Sequence, residues 1–172
     1  MRKLLMALSL SVTFLSQFSA YGSSGSIILN GQLIGSTCQV TANTKNQTVI
    51  LDTLSINNFQ KKNDTSIGKS FNITLSQCQP TDNISVVFHD AKNGLTEDGL
   101  IANQTGNDYA KGIAIGIYDN DNNPIKMNEK IAVDVDNNNS THNLALIAKY
   151  VATGNEVEAG KVASTVNFTI TY

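Results

Sequence analysis

Apolar residues recur with period two along most of this chain. Phe71, Ile73 and Leu75 alternate with Asn72, Thr74 and Ser76; Ile84, Val86 and Phe88 form a second run; Ile113, Ile115 and Ile117, spaced by Ala114 and Gly116, form a third. Successive side chains of an extended strand point to opposite faces, so each run predicts a strand with one face turned to a core. Between the runs stand Asn57-Asn58, Lys92-Asn93-Gly94, residues 119–123 ahead of Pro124, and residues 136–140. These are turn formers, able to relieve backbone strain or to hydrogen-bond their own chain. No stretch keeps helical spacing long enough for more than a short helix. The pattern predicts an all-β protein, a sandwich of the immunoglobulin type.

The two ends of the pattern do not balance. Val166, Phe168, Ile170 and Tyr172 alternate with Asn167, Thr169 and Thr171, and the sequence stops there. A strand so apolar on one face calls for a partner on each edge, so the sandwich is expected to lack its C-terminal strand. At the other end, residues 23–26 are small and polar and lead into Ile27-Ile28-Leu29-Asn30-Gly31-Gln32-Leu33-Ile34. Alternation puts Ile27, Leu29, Gly31 and Leu33 on one face. A β-capable segment therefore precedes the first cysteine, while a strand is wanting after the last residue. The plainer reading of residues 27–33 is a first strand that pairs inside its own domain.

Arg2 and Lys3, an apolar stretch over residues 4–15 and the closing Ala20-Tyr21-Gly22 read as a secretory signal peptide cleaved after Gly22. The remaining 150 of 172 residues suit one domain, which would bury roughly 70% of its extended-chain surface. Arg2 is the only arginine, so the mature chain carries 10 Lys against 14 Asp and Glu, a formal charge of −4. That balance gives no electrostatic footprint for nucleic acid or anionic lipid. No later apolar run approaches the ~20 residues that span a bilayer. Cys38 and Cys78 are the only cysteines of a chain bound for an oxidising compartment, and a single structural disulfide follows.

Candidate chemistry is sparse. Residues 119–123 read Asp-Asn-Asp-Asn-Asn like the opening of a calcium loop, but Pro124 stands where such a loop needs glycine and Lys130 where it needs glutamate. A solvated turn is the better account. His89 and His142 are too few for a three-histidine metal site and read as ordinary surface histidines; no Gly-x-Ser-x-Gly nucleophile motif occurs. The triplets beginning at Asn46, Asn63 and Asn103 match a glycan acceptor pattern that an Asn-rich composition produces by chance. Neither an enzyme nor a cofactor is indicated.

Taken together, several segments resemble the chaperone–usher pilins, and more narrowly the short minor subunits near the tip of type 1 pili. They are Ser26-Ile27-Ile28-Leu29-Asn30-Gly31-Gln32-Leu33, Cys38-Gln39-Val40, and Phe71-Asn72-Ile73-Thr74-Leu75-Ser76-Gln77-Cys78. Ala148-Lys149-Tyr150-Val151-Ala152-Thr153-Gly154, Ala159-Gly160 and Asn167-Phe168-Thr169-Ile170-Thr171-Tyr172 follow in order. The resemblance implies a sandwich completed in trans, first by a periplasmic chaperone and then, at an outer-membrane usher, by the N-terminal extension of the next subunit. It further implies a signal peptide at 1–22, a donor extension at 23–35 with Ile27, Leu29, Gly31 and Leu33 as donor residues, and a pilin domain at 36–172. Val166, Phe168, Ile170 and Tyr172 would border the acceptor groove and meet the chaperone. Gly160 and Tyr172 keep the family's 12-residue spacing, although the family's tyrosine usually stands second from the end. The implied product is a fimbria on the surface of a Gram-negative bacterium that supports adhesion, with either a tip or a repeating position for this subunit. The competing reading is a freestanding secreted Ig-like binding module or lectin-type adhesin, which the absence of Trp disfavours.

Overall fold

The computed structural model describes residues 38–79, 83–136 and 139–171, all within the compact unit Ile34–Tyr172. Eight strands appear: β1 (Gln39–Val40), β2 (Lys69–Ser76), β3 (Ser85–His89), β4 (Ile101–Ala102), β5 (Ile113–Tyr118), β6 (Lys130–Ala132), β7 (Thr141–Ala152) and β8 (Asn167–Thr171). The only helical pieces among the described residues are the single turn α1 (Ala42–Lys45) and a 3-10 turn at Ile56–Asn58. Five strands form one sheet in the order β1-β2-β7-β5-β4, and three form the other in the order β6-β3-β8. Every strand pairing is antiparallel.

Alternation decides what is buried. Ile73 and Leu75 of β2, Leu146 of β7 and Ile117 of β5 turn inward from the larger sheet, to meet Val86 and Phe88 of β3 with Ile84 just ahead of it. Leu75 and Val86 are wholly inaccessible to solvent. A smaller cluster gathers Phe59, Ile113 and Ala152, with the rings of Phe59 and Tyr150 meeting edge to face at 6.4 Å. Cys38 and Cys78 are joined in a disulfide that ties the residue before β1 to the chain just beyond β2.

Two side chains lie where the sequence did not put them. His142 is not a surface histidine: it is 4% exposed. It shares the inward face of β7 with Leu144 and Leu146, opposite Leu75. Its Nδ1 accepts a hydrogen bond from the Asp136 N–H at 3.3 Å. Asn103, the head of one glycan-like triplet, is also buried. Its amide donates to the carbonyls of Ala110 and Lys161, and its oxygen accepts from the Ala163 N–H. A side chain so engaged fastens two loops together and is closed to modification.

The 119–123 turn is built by its own aspartate. Asp119 accepts hydrogen bonds from the backbone N–H groups of Asp121 and Asn123 and from the Asn123 side-chain amide. The Asn123 amide, followed by the backbone donors, holds the Asp119 carboxyl below its usual value of 3.8. The unfolded chain therefore binds this proton more readily. The turn's contribution is fully present above 3.8 and fades as pH falls through the lower folded value. Asp119→Asn should accordingly flatten part of the acid limb of a stability-versus-pH curve recorded by urea unfolding below pH 3.8, while the slope near neutrality stays unchanged.

Candidate functional site

β8 pairs with β3 along Ser85↔Thr171, Val86↔Ile170, Val87↔Thr169, Phe88↔Phe168 and His89↔Asn167. Its opposite edge carries no strand among the described residues. Facing that edge is segment 45–51, which runs on from the last residue of α1 and belongs to neither sheet. Between the two lies a cleft of about 1110 Å³.

The floor of the cleft is the inward face of the larger sheet. Phe71 and Ile73 of β2, Ala148 of β7, Ile115 and Ile117 of β5 and Ile101 of β4 all line it. Ala148 stands opposite Ile117, and a methyl there leaves depth that a larger side chain would fill. One wall is Val49 and Leu51; the other is Val166, Phe168 and Phe88. Phe71, Ile115, Val166 and Phe168 pack against the core yet stay partly exposed, as does Ile170 further along β8. An apolar trough bordered by an unpaired strand edge is a template for one more strand.

The rims are pinned. His89 Nε2 hydrogen-bonds Thr169 Oγ1 at 2.6 Å and its Nδ1 hydrogen-bonds Asp90 at 2.7 Å, which fastens β3 to β8 from the outer face. The rings of Phe88 and Phe168 lie 6.2 Å apart within the trough wall.

Of the residues singled out from sequence, Cys38 and Cys78 are bonded to each other; Phe168 and Ile170 lie on one face of β8 and Val166 stands just ahead of that strand, with Val166 and Phe168 on the cleft. Gly160 lies away from the cleft lining, where its segment runs beside residues 108–110. The Lys161 N–H donates to the Asp108 carbonyl, and the Ala110 N–H donates to the Lys161 carbonyl. A Cβ at Gly160 would come within 2.4 Å of the Ala110 nitrogen and 2.5 Å of the Tyr109 carbonyl carbon, both backbone atoms that cannot swing aside. Gly160→Ala should therefore cost about 1–3 kcal/mol, read as a lowered urea midpoint with an unchanged slope. Ile27, Leu29, Gly31, Leu33 and Tyr172, with the segments expected as signal (1–22) and donor extension (23–35), lie outside the described residues. The Val49–Leu51 wall went unread in the sequence. Its only signal is the apolar triplet Val49-Ile50-Leu51, which does not alternate.

Comparison with known proteins agrees with this geometry. The sequence profile of the "Fimbrial protein" family matches residues 27–172. Long polar fimbria protein A of Salmonella typhimurium is 34% identical over 181 residues, covering 100% of this chain and 97% of that protein. The probable major fimbrial subunit LpfA of Escherichia coli O157:H7 is 31% identical over 176 residues, covering 100% and 97%. Among solved structures, a chaperone–usher pilus studied for the uncoiling of its rod superposes with a TM-score of 0.63 at 18% identity, covering 87% of this chain and 96% of that one.

Proposed function

The chain belongs to the fimbrial protein family, and from that premise we propose that it polymerises by lending a strand to its neighbour and taking one in return. Its role is structural, not catalytic. In this reading residues 1–22 are removed on export, residues 23–35 form the donor extension and residues 36–172 the accepting domain. A periplasmic chaperone first fills the cleft, an outer-membrane usher receives the subunit, the next subunit's extension replaces the chaperone strand there, and the growing fibre is displayed on the cell surface. The observation that carries the reading is the 1110 Å³ cleft between β8 and segment 45–51.

The energetics favour a lasting joint. Seating Ile27, Leu29 and Leu33 against the floor would remove three large aliphatic side chains from water, at roughly 1.5–3 kcal/mol each. Ladder hydrogen bonds along β8 add about 0.5–1.5 kcal/mol apiece. Gly31 would pass where a side chain meets the trough floor. Donor and acceptor are different surfaces of the subunit, so the contact is head-to-tail and propagates into a filament. The relative named as a probable major subunit supports a repeating position along the fibre over a single tip copy, which copy counting by mass spectrometry of sheared fibres would check.

The test is uptake of a synthetic peptide of residues 23–35, labelled with a fluorophore, by the full mature chain. Saturable binding together with a raised urea midpoint is the expected result. A mature chain that unfolds cooperatively at the same midpoint with and without peptide, and that forms no filaments, would overturn the proposal in favour of a freestanding module.

A further inference from the structure

The near wall of the cleft, segment 45–51, departs from the sheet in which β1 begins, and the hydrogen bonding at the point of departure shows how. β1 pairs with the end of β2 at Gln39↔Ser76 and Val40↔Leu75. The next residue continues the ladder for half a step: the Thr41 N–H donates to the Thr74 carbonyl at 3.0 Å. In a regular antiparallel pair Thr41 would return the bond by accepting from the Thr74 N–H. Its carbonyl is instead taken by the N–H groups of Thr44 and Lys45, at 2.9 and 3.0 Å, which wind the chain into α1. The Thr74 N–H is then met by the Thr44 hydroxyl at 3.2 Å, which also hydrogen-bonds the Thr41 hydroxyl at 3.1 Å. Thr44 is 4% exposed, so no solvent is at hand to replace it.

Resting on the strand-accepting reading, we propose that Thr44 is the positioning residue of the cleft: its hydroxyl stands in for the Thr41 carbonyl on the β2 ladder and so holds the near wall in place. Beyond this point the edge of β2 from Lys69 to Ile73 has no strand partner among the described residues. The wall touches that part of β2 through the Asp52–Lys69 ion pair at 3.3 Å. Val49 and Leu51 are thereby set across the trough from Val166 and Phe168. A wall free to swing would be competent for only part of the time, and the apparent affinity for a strand falls by that fraction.

The experiment titrates the labelled 23–35 peptide into the full mature chain and its Thr44→Val and Thr44→Ser variants, with urea midpoints measured alongside. Valine keeps the shape but removes the acceptor, leaving the Thr74 N–H orphaned; binding should weaken about tenfold or more. Serine keeps the hydroxyl and should bind within about threefold of the parent, since only a methyl is lost. A Thr44→Val chain with a lower urea midpoint but unchanged peptide affinity would reduce Thr44 to ordinary core packing and overturn the inference. Equal losses in Val and Ser would do the same. Amide hydrogen exchange on the unaltered chain gives a readout free of any variant's folding: Thr74 should exchange as slowly as Leu75, and exchange at the rate of the exposed turns would sink the proposal. If the parent chain takes up no peptide at all, it is the strand-accepting reading that fails, a result distinct from all of these.

Discussion

Ile115→Lys should yield a subunit that donates a strand but cannot accept one, and Leu29→Lys the reverse. Ile115 lies on β5 in the cleft floor, partly exposed, with the core beneath it. While the cleft is empty a lysine there can run its methylenes along the floor and lift its ammonium into water. Once a strand is seated that escape closes, and an unpaired charge must be buried. The penalty, several kcal/mol, corresponds to a loss of strand affinity of about a thousandfold or more. The empty domain should unfold at nearly the parent midpoint, because the cost falls on the occupied state alone. Leu29→Lys would place the same penalty in the neighbour's cleft. Either variant alone should remain monomeric by light scattering and electron microscopy. Mixed in equal amounts they should stop at dimers, because the one competent extension finds the one competent cleft and nothing remains to propagate. Long filaments from either variant alone would refute strand exchange through this cleft.

How much of this was legible in the sequence depended on which faces a strand buries. β2, β3 and β8 show clean alternation because each presents one face to the core, and their inward residues fall where the period placed them; β5 was legible because its isoleucines alternate with the small Ala114 and Gly116, which are themselves buried. The longest strand, β7, was not read as a strand at all. It sits in the middle of the five-stranded sheet and carries apolar residues on both faces. Leu144, Leu146 and Ala148 look inward; Ile147 and Val151, at the alternate positions, share the other face with Tyr118 and Ala114 of the neighbouring strand. Without alternation a run such as Leu144-Ala145-Leu146-Ile147 does not declare its period. The buried place of His142 was hidden for the same reason, since only the register of β7 puts it opposite Leu75.

The site divides along similar lines. The strand on the far side of the cleft was legible because β8 repeats its period to the end. The near wall was not, because it forms no ladder. Its place is fixed by the Thr44 hydroxyl and by the Thr41 carbonyl spent on a single helical turn, neither of which leaves a periodic trace. Gly160 was noticed for its spacing to Tyr172. The structure supplies a different, local reason for it, the close passage of residues 108–110.

Removal of the disulfide should bring the second large effect. Cys38 and Cys78 are both buried, and the loop they close contains α1, the near wall and the whole of β2. The chain-entropy account assigns a loop of this length, with 40 residues of separation, a stabilisation of roughly 4 kcal/mol. A domain of this size has about 5–15 kcal/mol in all. The local consequence is sharper than the global one. β1 holds β2 through only two paired residues, so without the covalent tie the wall depends on that short ladder and the Thr44 bond. A Cys38→Ala, Cys78→Ala double variant, with alanine chosen so that no new hydroxyl is buried, should therefore lose peptide uptake before it loses its sheets. As urea is added, binding of the 23–35 peptide should disappear at a lower concentration than the far-ultraviolet circular dichroism signal. In the oxidised parent the two transitions should coincide. Coincident transitions in the double variant, at the parent's midpoint, would show that the disulfide neither stabilises the domain nor secures the wall.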